Sequence, residues 1–299
     1  MKLSTGPTLL ALGVLIGLVV PPLAELLRPL LSLTVFVFVT GTFLRTDPLL
    51  LRRAVGSLRT GLVLPFVAIV AMPFVAAWLL GAFGVPVAIV GGIVIALASP
   101  PSSGNAAMAR MFGYGGEVPS VIILLTMLAA PLTMPLVGAS VGTAIDPWAL
   151  AKGLAILLVG TGGVAIVLRL TIPEQIERLG PAIDRTVVLA LFVFAIATMD
   201  GVLDYALDRP GAFAALLAIA FVVNVASQGV GALLAKGDLR DRIALALTFG
   251  NRNVGLPWAV LGSALDPSTT LFFALAQLPI FVLPWVVRVV MAKRLDVRE

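Results

Sequence analysis

The stretch "TFGNRNVGLPWAV" places Thr248, Asn251, Arg252 and Asn253 together inside an otherwise apolar run. A second stretch, "ASPPSSGN", sets Ser102, Ser103, Gly104 and Asn105 directly behind two prolines. Serine and asparagine gathered in two such breaks mark a candidate binding site. A guanidinium can hold a carboxylate through a two-pronged fork. Acid–base chemistry is poorly served, because the chain has no histidine and no cysteine. The commonest general base and the commonest transition-metal ligand are therefore missing, and so is any thiolate nucleophile. No catalytic residue is assigned, and an enzyme is not expected.

These polar groups need apolar elements to hold them. Of 299 residues, 60% are hydrophobic and 12% charged, and the mean hydropathy is +1.12. A soluble domain has about 25% charged residues. About ten apolar runs are long enough for a bilayer, which takes roughly 20 helical residues. They are placed at 8–26, 29–44, 59–80, 86–109, 118–141, 148–169, 184–206, 211–235, 241–264 and 268–291. The runs are continuous rather than alternating, which disfavours a β-barrel. The first run is read as a retained helix and not a signal peptide. No soluble domain is attached, so the chain is expected to be one integral unit in the plasma (inner) membrane.

Loop charge sets the sidedness. With both termini on one side, that side collects sixteen of the 20 basic residues, among them Lys2, Arg45, Arg52, Arg53, Arg59, Arg110, Arg169 and Arg298. The other side has Arg28, Lys152 and Arg209, and Arg252 remains inside a helix. Positive loops stay cytoplasmic, so both termini are expected in the cytoplasm. The net charge of +5 then belongs to these loops and implies no nucleic-acid partner. The expected partners are the lipid bilayer and a small organic anion.

The two halves, 1–145 and 146–299, share a plan of five helices each. An odd number per half inverts the second relative to the first. The fourth helix of each half is interrupted, at "ASPPSSGN" and at "TFGNRNVGL". Paired broken segments at matching places in inverted repeats point to a transporter's binding site. Backbone freed from a helix cannot face lipid, so both breaks must be buried or line a cavity.

Over nearly its whole length the sequence resembles the bile acid:sodium symporter family. The resemblance rests on "AMPFVAAWLLGAFGVPVAIVGGIVIALASPPSSGNAAMAR", on "APLTMPLV" and on "GNRNVGL". It implies an all-α polytopic membrane protein of ten transmembrane helices in two inverted five-helix repeats. The discontinuous helices four and nine would cross in a core domain of helices three to five and eight to ten. Helices one, two, six and seven would form a panel, and substrate would bind in the crevice between. Sodium-coupled members carry a glutamate at the place of Thr248, a glutamine at that of Arg252, and a further glutamine at that of Ala68. Asn105 matches a sodium ligand, the preceding serine aligns with Gly104, and Ser120 or Thr126 would add hydroxyls. At most a weak sodium site at Asn105 and Thr248 is implied. Two cations about 4 Å apart repel by roughly 4 kcal/mol at an effective dielectric of 20, which opposes sodium beside Arg252.

Three roles for Arg252 stand open. It can replace sodium as a tie between the crossed helices, donating to carbonyls and to Asn105, Asn251 or Asn253. It can bind an anionic substrate. It can pair with an acid, the nearest being Asp200 and Asp204. Asn224 and Gln228, four apart on one helix face, either bond across a packing interface or line the cavity. The leading function is a secondary transporter of a small organic anion with altered coupling: to protons, to one weak sodium site, or to no ion. Arsenite-permease or auxin-carrier relatives share the plan, and a non-transporting membrane sensor or scaffold is the alternative of another class. Substrate and oligomeric state are not encoded legibly.

Overall fold

A computed structural model describes residues 5–46, 57–105 and 117–295. Among them every regular element is helical. The residue before a proline is pushed out of the helical region, and the chain turns at Val20, ahead of Pro21 and Pro22. The first expected segment is thereby divided into α1 (Thr5–Val19) and α2 (Pro21–Leu27). A 3-10 turn, Arg28–Leu30, leads into α3 (Leu31–Arg45). The next helix, α4 (Arg59–Ala82), contains π turns at Arg59–Val63 and Val67–Ala71. Pro65 and Pro73 lie beside them. Proline removes a helical donor and crowds the carbonyl four residues back, and a wider turn accommodates this.

The order continues with α5 (Val87–Ala98), α6 (Glu117–Ser140), α7 (Pro147–Thr171), α8 (Pro173–Arg178) and α9 (Gly180–Ala197). Then come α10 (Val202–Asp208), α11 (Pro210–Leu234), α12 (Leu239–Gly250), α13 (Gly255–Leu261) and α14 (Pro267–Leu295). Asp146 caps α7 by accepting from the Trp148 and Ala149 amides at 2.9 and 3.3 Å. The expected segments at 86–109 and 241–264 are both broken, after Ala98 and after Gly250. Positions 106–109 of the first of these lie outside the described residues, as do Lys2, Arg52, Arg53, Arg110 and Arg298.

Among the described residues, seven spans are long and apolar enough to cross a bilayer: Pro21–Arg45, α4, α6, α7, Gly180–Asp208, α11 and Pro267–Val287. The chain is thus built as a polytopic membrane protein. Leu132, Val159, Leu170 and Leu233 point outward from them, where a water-soluble surface would need polar groups.

Two packing groups can be distinguished. In one, α9 lies against α1, α2 and α3, and α7 lies against α3. In the other, α4 and α6 flank α5, α11 lies against α12, and α14 packs on both α5 and α11. The helices approach closely where glycine allows it. A Cβ on Gly17 would sit 2.5 Å from the Ile196 carbonyl oxygen, and one on Gly231 2.5 Å from that of Leu245. Such small-residue contacts are how apolar helices associate without a hydrophobic drive.

The two groups meet where α6 lies against α7, where α1 lies against α14, at α13, which packs on α3 and α7, and at buried aromatics. Phe38 of α3 and Phe194 of α9 meet edge-on at 5.8 Å, and Phe194 meets Trp258 of α13 edge-on at 6.4 Å. Trp258 in turn lies 6.2 Å from Phe273 of α14. Phe194→Ala removes the middle ring. It is expected to cost about 3–5 kcal/mol, read as a lower unfolding temperature of the detergent-solubilised protein.

Basic residues close the helix ends. Arg169 donates to the Leu44 carbonyl at 2.6 Å and to that of Thr46, and Arg59 donates to the Leu234 carbonyl. These are last-turn carbonyls of α3 and α11, which lack helical donors. Arg45 pairs with Asp184 at 3.2 Å, at the same end of α3.

Candidate functional site

The two interruptions lie side by side. Ser99 and Asn251, the first residues beyond α5 and α12, both leave the helical region for extended backbone, at ψ 143° and 106°. Pro100 and Pro101 force the first exit by lacking donors. The second exit falls at Gly250 and Asn251, with Gly255 opening α13. Across the gap, Pro101 and Arg252 form an antiparallel bridge. The Ser102 amide donates to the Asn251 carbonyl and the Asn253 amide to the Pro100 carbonyl, each at 2.8 Å. The backbone groups released by each break are thus satisfied by the other, as burial requires.

Side-chain amides take up the remaining acceptors. Asn105 donates at 3.2 Å to the carbonyls of both Leu247 and Asn251. Asn251 returns a bond to Asn105 Oδ1 at 3.2 Å. Asn224 of α11 donates to the Gly250 carbonyl at 2.9 Å and accepts from Gln228 at 2.7 Å. Asn253 reaches Ser103 Oγ at 3.5 Å. Gly250 permits the approach of α11, since a Cβ there would lie 2.3 Å from Gln228 Cγ. Of the two readings of Asn224, bonding across the interface is seen, and Asn224 also lines a cavity.

Arg252 is enclosed, with 4% of its surface exposed. Its Nη2 donates to Met72 Sδ at 3.6 Å, and its Cζ lies 5.9 Å from the centre of the Phe249 ring. Nε and Nη1 are buried with no partner among the described residues. Among the described residues the guanidinium makes no hydrogen bond to Asn105, Asn251 or Asn253, the tie that a sodium substitute would make; Asn105 Oδ1 accepts from Asn251, and Asn251 Oδ1 from Asn224 at 3.4 Å. The acid pairing is absent too. Asp200 binds Arg28 near the start of α3, and Asp204 is exposed. A guanidinium has five N–H groups. With one given to sulfur, a complete fork remains for an oxyanion.

The hydroxyls turn inward on their own helices. Thr248 donates to the Ala244 carbonyl at 2.7 Å, and Thr126 to those of Ile122 and Ile123 at 2.6 and 3.0 Å. Ser102 accepts from the Gly104 amide at 3.4 Å. Ser120, near the start of α6, is half-buried. Met72 and Phe249 contact the guanidinium but are not among the residues the sequence pointed to. Phe249 lies in the last turn of α12, just ahead of the break that carries Arg252.

A small cavity with room for about one water lies beside the crossing, between α5, α11, the end of α12 and α14, with Arg252 and Asn224 in its wall. No family model matches this chain, and no curated protein matches it.

Proposed function

We propose that this protein is a secondary transporter of small organic anions, built on the plan of the bile acid:sodium symporters but not driven by sodium. The observation that carries this reading is Arg252: a buried guanidinium with two nitrogens that have no partner among the described residues, held where two interrupted helices pair. Intramembrane charge is costly and by default functional, and the missing partner of a guanidinium is an anion.

Several features support the inverted-repeat plan. An antiparallel bridge has local two-fold symmetry, as a crossing of inverted repeats requires. Matching core helices of the two halves are buried alike, whereas Pro21–Arg45 is 39% buried and its counterpart Gly180–Asp208 61%. The outer pair α4 and α11 are each 22% buried, and the inner pair α6 and α14 are each 61% buried, over their most apolar stretches. On this plan α1–α3, α7, α9 and α10 are the panel, and α4–α6 and α11–α14 are the core. Alternating access then moves one group against the other, with the aromatic contacts at α13 separating as it does.

The residues at the crossing do not suit sodium. Among the described residues the carboxylates lie in short helices, near helix ends or in connections. The Thr248 hydroxyl and the Asn105 amide are already engaged, and Arg252 supplies the positive charge. The protein is expected to unfold at the same temperature in sodium chloride as in choline chloride. Asn105→Ala, by uncapping two carbonyls, is expected to cost about 1–3 kcal/mol in both salts alike. A stabilisation specific to sodium and lost in Asn105→Ala would overturn sodium independence. Transport itself is tested by uptake into proteoliposomes. A protein that binds anions without moving them would be a sensor instead.

A further inference from the structure

Resting on the reading of Arg252 as the anion ligand, we propose that Gln228 is a positioning residue for it, heading a one-way chain of four side-chain amides that holds the backbone entering Arg252. Gln228 Nε2 donates to Asn224 Oδ1 at 2.7 Å. Asn224 Nδ2 donates to the Gly250 carbonyl at 2.9 Å and to Asn251 Oδ1 at 3.4 Å. Asn251 Nδ2 donates to Asn105 Oδ1, and Asn105 Nδ2 to the Leu247 and Asn251 carbonyls, all at 3.2 Å. The chain runs from α11, which belongs to neither break, through the second break to the first and back onto α12.

The backbone fixes its direction. A carbonyl only accepts, and a side-chain amide has one accepting end and one donating end. Asn105 faces two carbonyls, so its NH2 turns to them and its oxygen to Asn251. Asn251 must then donate, which leaves its own oxygen facing Asn224. Asn224 meets that oxygen and the Gly250 carbonyl, two acceptors, so it donates there and shows its oxygen to Gln228. Gln228 has to be a donor. Reversing any one amide sets two oxygens or two NH2 groups face to face. Asn105, Asn224 and Asn251 are 3%, 5% and 0% exposed, and a partly satisfied network buried in this way is costly.

The chain grips the approach to the anion ligand. The Gly250 and Asn251 carbonyls are the last two ahead of Arg252, and that of Asn251 also accepts from the Ser102 amide at 2.8 Å. The half-buried Gln228 reaches this place because Gly250 has no side chain: a Cβ there would lie 2.3 Å from Gln228 Cγ. Gln228 therefore acts through Asn224 and Asn251, by fixing the backbone from which the guanidinium fork is aimed.

Gln228→Met keeps the length of the side chain and removes the donor. In the purified full chain it is expected to lower the unfolding temperature, and to do so less in an Asn105→Ala background, where the chain is already cut at its far end. Gln277→Met is the control. This buried glutamine bonds the Phe273 carbonyl of its own helix at 3.3 Å, and its loss is expected to add to that of Asn105→Ala. Gln228→Glu tests the need for a donor, since a neutral carboxyl donates and an ionised one only accepts. The chain favours the neutral form, so the folded-state pKa lies above the unfolded value and the stability is lost as pH rises. Compared with the parent at the same pH, Gln228→Glu is expected to approach it at pH 5 and to fall to the level of Gln228→Met at pH 8. Benzenesulfonate, a monoanion throughout this range, reads the effect on Arg252, and Gln228→Met is expected to weaken its binding roughly two- to thirtyfold. Additive losses at Gln228 and Asn105, or a gap between Gln228→Glu and the parent that does not change with pH, overturn the chain. Unchanged benzenesulfonate binding in Gln228→Met overturns the positioning role. If the parent binds no benzenesulfonate, the reading of Arg252 fails and the positioning role with it, whereas the double-mutant cycle and the pH profile still decide the chain.

Discussion

Arg252→Gln is expected to weaken carboxylate binding at least about a hundredfold, the loss typical of removing one partner from a buried, hydrogen-bonded charge pair. Without ligand, the same variant is expected to be at least as stable as the parent. Nε and Nη1 of the guanidinium have no partner among the described residues, and a central arginine costs about 2.5–3.5 kcal/mol on insertion scales. Exchanging it for an uncharged amide relieves that cost. The opposite sign follows if Arg252 ties the crossed helices together in place of an ion, for then its loss loosens the crossing. Thermal unfolding with and without benzoate measures both quantities on one sample. A variant that unfolds several degrees below the parent and still binds benzoate would reverse the assignment.

Gly231→Leu is expected to cause the largest loss of stability. A Cβ at this position would stand 2.5 Å from the Leu245 carbonyl oxygen and 3.0 Å from Ala246 Cα, both backbone atoms of α12. Neither can move without displacing the helix. Seven residues earlier, on the same face of α11, Asn224 holds the Gly250 carbonyl at the second break. Pushing α11 away therefore strains the crossing as well as the helix contact. Overpacking costs about 1–3 kcal/mol, and the uncapped carbonyl adds about 1–3 kcal/mol. The control is Gly229→Leu, two residues away, where an added Cβ would meet nothing within 4 Å. That variant is expected to fold like the parent. Equal behaviour of the two in expression and thermal unfolding would show that the close approach at Gly231 is not what holds α11 to α12.

The helices were legible in the sequence because runs of apolar residues need no partner to be recognised. Segments expected at 118–141, 148–169 and 211–235 are found as Glu117–Ser140, Pro147–Thr171 and Pro210–Leu234. The two breaks were legible as well, from Pro100 and Pro101 in one and the glycines around Asn251 in the other. The hydrogen bonds inside the crossing were not. An asparagine offers two donors and an acceptor, and which of several nearby carbonyls it reaches depends on the meeting angle of two helices distant in sequence. Asn105 and Asn251 accordingly cap backbone groups and each other, where sequence reasoning had offered them to Arg252 or to an ion. Thr126 and Thr248 illustrate a related ambiguity. A hydroxyl within a helix can return to its own backbone four residues back, and both do. Met72 escaped notice as a contact of Arg252 because thioether sulfur is a weak acceptor whose role comes only from placement.

The most direct test of anion carriage through this crossing is uptake of labelled benzenesulfonate by proteoliposomes containing the full chain, with equal sodium and equal pH on both sides. The sulfonate remains a monoanion at neutral pH, so neither leakage of a neutral acid nor a proton gradient can imitate transport. Uptake that exceeds that of protein-free vesicles, continues when sodium is replaced by choline and is lost in Arg252→Gln is the result expected. Uptake unchanged in Arg252→Gln, or present only with sodium, would contradict the assignment of Arg252 as the substrate's partner.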